Sequence, residues 1–264
     1  MSKPKALLLA AGLGRRLRPF TDQCPKCLVP VLGRPLLEYW LYKLADEGLT
    51  EVFVNVHHHR DMAIEFLTRK IFRPWVNLIV EQELSGTAGT LRNNIHQFRG
   101  STIFVAHADN WCHFDLSSFI NFHVNQRPDH ALISMMTFRT DSPQSCGIVE
   151  VDDRGLVKEF FEKQVDPPGN MANGAVYIIE PEISEWIAAT PKALDFSNDV
   201  IPEFLGRIAT WENKSIHRDI GSVRSLLAAQ SDPPMSDCWP IDVDDWHREY
   251  AQNPIHKQIA GLQK

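Results

Sequence analysis

Residues 5–14 read Lys5-Ala6-Leu7-Leu8-Leu9-Ala10-Ala11-Gly12-Leu13-Gly14. A short apolar run that ends in closely spaced glycines predicts a buried strand feeding a tight loop. The pattern then repeats in alternation. Pro35 stands where a helix begins, and Leu37, Trp40, Leu41 and Leu44 recur at helical spacing until Gly48. Glu51–Val56 alternates as a strand and Asp61–Lys70 reads as a helix. Val76–Val80 is a strand, Ala88–Phe98 a helix and Thr102–Ala106 a buried strand. Strands alternating with helices predict an α/β fold, its parallel or mostly parallel sheet covered on both faces.

Beyond residue 130 the texture changes. Ala131–Arg139, Gly147–Val151, Val157–Phe161 and Ala175–Ile179 read as closely spaced strands separated by turn signals. Pro181–Ala189, Ser197–Gly206 and Val223–Gln230 read as helices. Residues 231–264 show no clear period and read as a C-terminal extension, with Trp239 and Trp246 as packing anchors. The expected organisation is a catalytic domain over 1–230, with a strand-rich lobe mainly in 131–180, followed by the 231–264 extension. No repeat and no hexapeptide array is present.

The chain has 264 residues with 44% hydrophobic and 23% charged side chains, a globular composition that excludes a mainly disordered chain. No apolar run reaches the length of a membrane span, and residues 1–10 lack a signal peptide's apolar core, so a cytoplasmic location without membrane attachment is expected. Net charge is −6, which gives no reason to expect nucleic acid. Residues 1–34 nevertheless hold seven cations against one acid. A basic island in an acidic chain suits a small anionic ligand. A homo-oligomer is the macromolecular partnership left open. The five cysteines, at 24, 27, 112, 146 and 238, are expected as free thiols, Cys24 and Cys27 included. His57-His58-His59 is expected in a loop, because neighbouring side chains on extended backbone point to opposite faces and do not converge on one ion.

The loop after the first strand carries the chemistry. Gly12 and Gly14 let backbone N–H groups approach a phosphate, and Arg16 and Lys26 supply positive charge to the same anion. It is not a Walker A loop. Nor is it a dinucleotide fingerprint, since Leu17 occupies the third glycine position.

Taken together, Leu9 to Gly14, Arg16, Leu17, Pro19, Thr21, Pro25, Lys26, Leu28 and Pro30 resemble the signature of the sugar-phosphate nucleotidylyltransferases. The resemblance continues through Glu81, Ser85-Gly86-Thr87-Ala88-Gly89, Ala108-Asp109, Phe160-Phe161-Glu162-Lys163, Asn173-Gly174-Ala175-Val176-Tyr177 and Arg218-Asp219-Ile220-Gly221-Ser222. Six blocks in the family's order cover roughly residues 5–230. The resemblance implies a Rossmann-like mixed, mostly parallel sheet flanked by helices, with a small strand-rich sugar-binding lobe. It also implies a reaction: a nucleoside triphosphate and a sugar 1-phosphate give a nucleotide sugar and pyrophosphate.

Roles follow by position. Leu9, Ala11, Gly12, Gly14, Arg16, Lys26, Glu81, Gly86 and Thr87 match nucleotide-binding positions, with Arg16, Lys26 and Asp109 catalytic. Asp109 and Asp219 match positions that hold Mg²⁺. Gly147, Glu162, Lys163 and Asn173 match sugar-phosphate positions. Arg15 stands where a small threonine is common, leaving either arginine as the working one. Cys146 and Ala175 replace a common tyrosine and a glycine. Glu81 stands where thymidine-triphosphate users carry glutamine. A carboxylate only accepts hydrogen bonds and prefers the donor-rich edge of guanine, which favours GTP. The run Gly86-Thr87-Ala88-Gly89 resembles the branch of guanylyltransferases acting on mannose 1-phosphate or heptose 1-phosphate, which implies one of these as the sugar. The alternatives are a uridylyl- or thymidylyltransferase acting on another sugar phosphate, or a non-catalytic nucleotide-sugar sensor.

Overall fold

In the computed structural model, described over residues 3–235 and 244–262, thirteen strands and the helices between them form two compact units. The strands are β1 (Lys5–Leu9), β2 (Pro30–Val31), β3 (Arg34–Pro35), β4 (Val52–Val56), β5 (Val76–Val80), β6 (Ile103–His107) and β7 (Asn110–Cys112). They continue with β8 (Ile133–Arg139), β9 (Gly147–Val151), β10 (Val157–Glu162), β11 (Met171–Ile179), β12 (Ile208–Glu212) and β13 (His217–Asp219). Trp239 and Cys238 lie outside the described residues.

The first unit comprises residues 3–7, Glu83–Ala106 and Phe114–Ile216. Its strands run in the order β10-β9-β11-β6-β1, with β8 pairing both β11 and β12. The pairs β10–β9, β11–β9, β11–β6 and β11–β8 are antiparallel and β12–β8 is parallel. Register slips between Asn173 and Tyr177, where Ala175 adopts a left-handed φ of 51°. That conformation accounts for the usual glycine at this position. The helix expected over Ala88–Phe98 is two helices, Thr87–Asn93 and Ile95–Phe98, broken at Asn94. The segment expected as a helix over Ser197–Gly206 is instead a π-turn, Phe196–Val200, and a short α-turn, Ile201–Glu203. Pro202 has no N–H to continue the ladder.

The second unit comprises Leu8–Gln82, His107–His113 and the described residues from His217 onward. Here β4 and β5 pair in parallel, Val52 opposite Val76 through Val56 opposite Val80. All five residues of β4 are buried, so its polar–apolar alternation does not separate a wet face from a dry one. Asn55 is the polar exception within that buried strand, 3% exposed. The helix Leu36–Asp46 follows Pro35 and buries Leu36, Leu37, Trp40, Leu41 and Leu44, each leucine contributing about 1.5–3 kcal/mol of burial. The extension is more regular than its sequence suggests, with helices Asp245–Ala251 and Pro254–Leu262. Among the described residues no helix is long and apolar enough to cross a membrane.

Candidate active site

The second unit gathers four of the charged positions picked out above. β6 ends just before Asp109, and the Ala108 N–H donates to the Leu9 carbonyl at 3.0 Å, fixing the carboxylate beside the end of β1. β13 pairs antiparallel with β7 so that Asp219 faces Asn110, and the Ile220 N–H donates to the Asp109 carbonyl at 3.0 Å. Two aspartates separated by 110 positions in the chain therefore stand side by side. Trp40 anchors this pair from below, its indole N–H donating to the Asn110 carbonyl at 2.8 Å.

Between the aspartates lies the Lys26 ammonium. Its Nζ donates to Asp109 Oδ2 in a short ion pair and to Asp219 Oδ1 at 3.1 Å. Lys26 is 7% exposed. Burial alone would lower its pKa, but the charges of Asp109 and Asp219 outweigh burial and hold it above the ordinary lysine range. Asp109 is the complement. Burial works to raise its pKa, and Lys26 with His107 overcomes this and holds it below the usual carboxylate range. Arg16 Nη2 approaches the other oxygen of Asp219 at 3.5 Å. A Cβ at Gly221 would sit 2.7 Å from that guanidinium nitrogen and 2.6 Å from Asp219 Oδ2, so glycine there keeps the pair possible. Both carboxylates aim an oxygen at one positive charge. Hard oxygen donors converging in this way fit a divalent cation such as Mg²⁺.

The glycine loop is held by partners that its own sequence does not announce. Gly14 has φ 61°, and a Cβ there would lie 2.6 Å from Thr21 Cγ2. Thr21 Oγ1 donates to the Gly14 carbonyl at 2.8 Å. His58 and His59 both donate from Nε2 to the Thr21 carbonyl, at 3.0 and 3.2 Å, while His57 Nδ1 donates to the Glu81 carbonyl at 3.1 Å. His58 and His59 thus brace the loop from the turn after β4, while His57 holds the end of β5 at Glu81. Gly12 differs from Gly14, because a Cβ there would meet no protein atom within 4 Å. Internal packing does not require glycine at 12.

Leu9 and Ala11 are buried at the loop's base. The Ala10 N–H donates to Asn55 Oδ1 at 2.6 Å, and Asn55 Nδ2 donates to Glu81 Oε1 at 3.1 Å. Asn55, not among the candidate site residues, therefore ties the loop to Glu81, which the resemblance assigns to the base. Cys24 and Cys27 are buried free thiols. Burial raises both, and Cys27 is pushed up to about 12, so neither is a thiolate near neutrality.

The first unit carries the remaining positions. Gly86 has φ 80°, and a Cβ there would strike the Leu194 carbonyl at 2.4 Å. Thr87 Oγ1 donates to Asp195 Oδ2 at 3.1 Å and accepts from the Phe196 N–H at 2.8 Å. Both glycine and threonine thus serve the turn at 194–196. Asn173 Nδ2 donates to the Tyr177 hydroxyl at 2.7 Å, and Asn173 Oδ1 accepts from the Ala175 N–H at 2.9 Å. Lys163, at φ 46°, pairs with Glu162 at 2.8 Å and keeps 66% of its side chain exposed. At Gly147 a Cβ would meet Phe160 Cζ at 2.4 Å and Glu162 Oε2 at 2.6 Å. The crowding comes from β10 itself, so Gly147→Ala is expected to cost about 1–3 kcal/mol of stability by overpacking. A thermal unfolding curve reads this directly.

Comparison with known proteins adds four findings. The family model described as Nucleotidyl transferase matches residues 5–234. Mannose-1-phosphate guanyltransferase 2 of Candida glabrata is 28% identical over 233 residues, 85% of this chain and 63% of that protein. Among solved structures, HddC from Yersinia pseudotuberculosis complexed with GMP-PN superposes with a TM-score of 0.72 at 24% identity, covering 86% of this chain and 98% of that one. A putative glucose-1-phosphate thymidylyltransferase from Bacillus anthracis in complex with a sucrose gives 0.77 at 21% identity, covering 92% and 98%. These two likenesses establish the shared α/β fold. The chain spans a little over three fifths of the length of the curated relatives it matches.

Proposed function

Since the chain belongs to the nucleotidyl transferase family, we propose that it joins a nucleoside triphosphate to a sugar 1-phosphate, releasing pyrophosphate. The observation that carries this reading is the Lys26 ammonium held between Asp109 and Asp219, with Arg16 on the latter's other oxygen. In the reaction, an oxygen of the sugar phosphate attacks the α-phosphorus, and the bond from that phosphorus to the departing pyrophosphate breaks. Such a displacement needs alignment and charge neutralisation more than covalent help. The backbone of Gly12–Gly14 receives the phosphates. Arg16 and Lys26 stabilise the charge that develops on the leaving pyrophosphate. Asp109 and Asp219 would hold Mg²⁺, which supplies further neutralisation of phosphate charge when bound.

Glu81, oriented by Asn55, takes the base. Guanine presents N1–H and N2–H₂ to a carboxylate, whereas uracil and thymine present one N–H flanked by carbonyls. GTP with a mannose- or heptose-type 1-phosphate is the proposed pair, in keeping with the name of the Candida glabrata relative. Pyrophosphate release measured for four triphosphates against several sugar 1-phosphates tests it. The GTP row should dominate. Dominance of the UTP or dTTP row would reassign the base, and a blank matrix would leave a binding protein.

In the first unit, Lys163 takes the sugar's phosphate, exchanging its Glu162 partner for a doubly charged one. Lys163→Gln should raise KM for the sugar phosphate by roughly ten- to a hundredfold, the loss of one charge-assisted contact. KM for the triphosphate should change little. Were the lysine only an exposed partner of Glu162, both constants would stay within about a factor of five.

A further inference from the structure

We propose that Tyr250 is a positioning residue for Lys26, reaching it from a helix beyond the segment that the family model matches, which ends at 234. The proposal rests on the reading of Lys26 as a phosphate-binding cation. Lys26 opens a three-residue 3₁₀ turn, Lys26–Leu28, closed by Leu28 N–H to Pro25 carbonyl and Val29 N–H to Lys26 carbonyl bonds at 2.9 and 3.2 Å. A turn this short has weak intrinsic stability, so what surrounds it sets its placement. The Tyr250 hydroxyl donates to the Leu28 carbonyl at 2.5 Å. Leu28 is two residues from the lysine whose ammonium must meet both aspartates.

The hydroxyl has a rigid mount. Tyr250 is 6% exposed, and its ring stacks on Trp246 at 4.7 Å with planes 17° apart. Asp244 caps the helix Asp245–Ala251 by accepting from the His247 N–H at 2.8 Å, and Arg69 Nε donates to Asp244 Oδ2 at 2.7 Å. The Arg69 guanidinium lies 5.0 Å from the Trp246 ring centroid and 5.2 Å from that of Phe72. His247 Nε2 meets Glu38 Oε2 at 3.1 Å on the helix that follows β3. Helix, arginine and tyrosine therefore form one packed support beneath the turn. Burial raises the Tyr250 phenol well above its ordinary range, so the hydroxyl remains a donor at all working pH. Without that bond the turn is free to shift, and Lys26 loses its fixed aim at Asp109 and Asp219.

The test uses Tyr250→Phe, which retains the ring and removes only the hydroxyl, on the full chain. Lysine acylation by acetic anhydride, read by mass spectrometry, follows Lys26 directly and needs no turnover. In Tyr250→Phe, Lys26 should be modified roughly fivefold faster, the factor one hydrogen bond provides, with the exposed Lys163 unchanged. Its kcat should fall about tenfold with KM for the sugar phosphate unchanged, between the effect of one lost bond and that of an ångström of misplacement. Trp246→Phe loosens the same helix but keeps the hydroxyl. It should lower the melting temperature and raise the Lys26 labelling rate clearly less than Tyr250→Phe does. An unchanged Lys26 rate in Tyr250→Phe overturns the proposal, as does an equal acceleration in both variants or at every lysine. A wild-type chain that releases no pyrophosphate from any substrate pair would defeat the functional reading, while the labelling comparison would still decide the placement of Lys26.

Discussion

Asp109→Asn is expected to lower kcat by about 10³-fold or more while the fold survives. The amide matches the carboxylate in size and keeps the Ile220 N–H to Asp109 carbonyl bond, which is made by backbone. What it removes is one negative charge from the point where Lys26 and Asp219 converge. The ammonium then faces a single carboxylate, and one of the two aspartates proposed to hold the cation is lost. Asp219→Asn should behave alike, and it should also release Arg16, whose contact is to Asp219 Oδ2. Steady-state rates in saturating Mg²⁺, with circular dichroism to verify folding, measure both. Either variant retaining most of its activity would remove that residue from the cation site.

Arg16→Ala is expected to lower kcat by on the order of 10²-fold, the scale for one preorganised charge contact. Arg15→Ala should change it by less than about threefold, the scale of an exposed surface charge. The sequence leaves the two arginines open, and the structure gives them different surroundings. Leu17 is completely buried, and its N–H donates to the Gly14 carbonyl at 2.8 Å, which fixes the rotation of the short turn Arg15–Leu17. In that register Arg16 reaches Asp219. A larger loss for Arg15→Ala in kcat would mean that the turn presents the other guanidinium to the phosphates.

The long periodic elements were legible because their periodicity is local. The apolar run of β1, the helix Leu36–Asp46 and β5 all lie within two residues of their expected limits. The α/β class followed from their alternation. The pairing of β7 with β13 was not legible. Each strand has three residues, and their contact depends on chain returning after more than a hundred positions. That pairing places Asp219 beside Asp109, so only the family signature marked the second aspartate, and no spacing rule did. Asn55 was hidden for another reason. In a strand buried on both faces, a lone polar residue looks like one step of an alternating pattern. The helices within the extension were not read because prolines and tryptophans mask their spacing, although Trp246 and Tyr250 are four apart and stack. The glycines divide similarly. Motif matching treats Gly12, Gly14, Gly86 and Gly147 alike, whereas the structure explains three of them by clashes within the chain and shows no such clash at Gly12.

The most direct test of the central claim is a product balance. The wild-type chain is incubated with Mg²⁺, GTP and mannose 1-phosphate, and phosphorus NMR follows the nucleotide sugar and pyrophosphate together. Transfer at the Lys26–Asp109–Asp219 cluster predicts that both products appear in a one-to-one ratio, only when all three components are present, and vanish with Asp109→Asn. GDP and inorganic phosphate in place of pyrophosphate, or equal product formation by the Asp109→Asn variant, would contradict it.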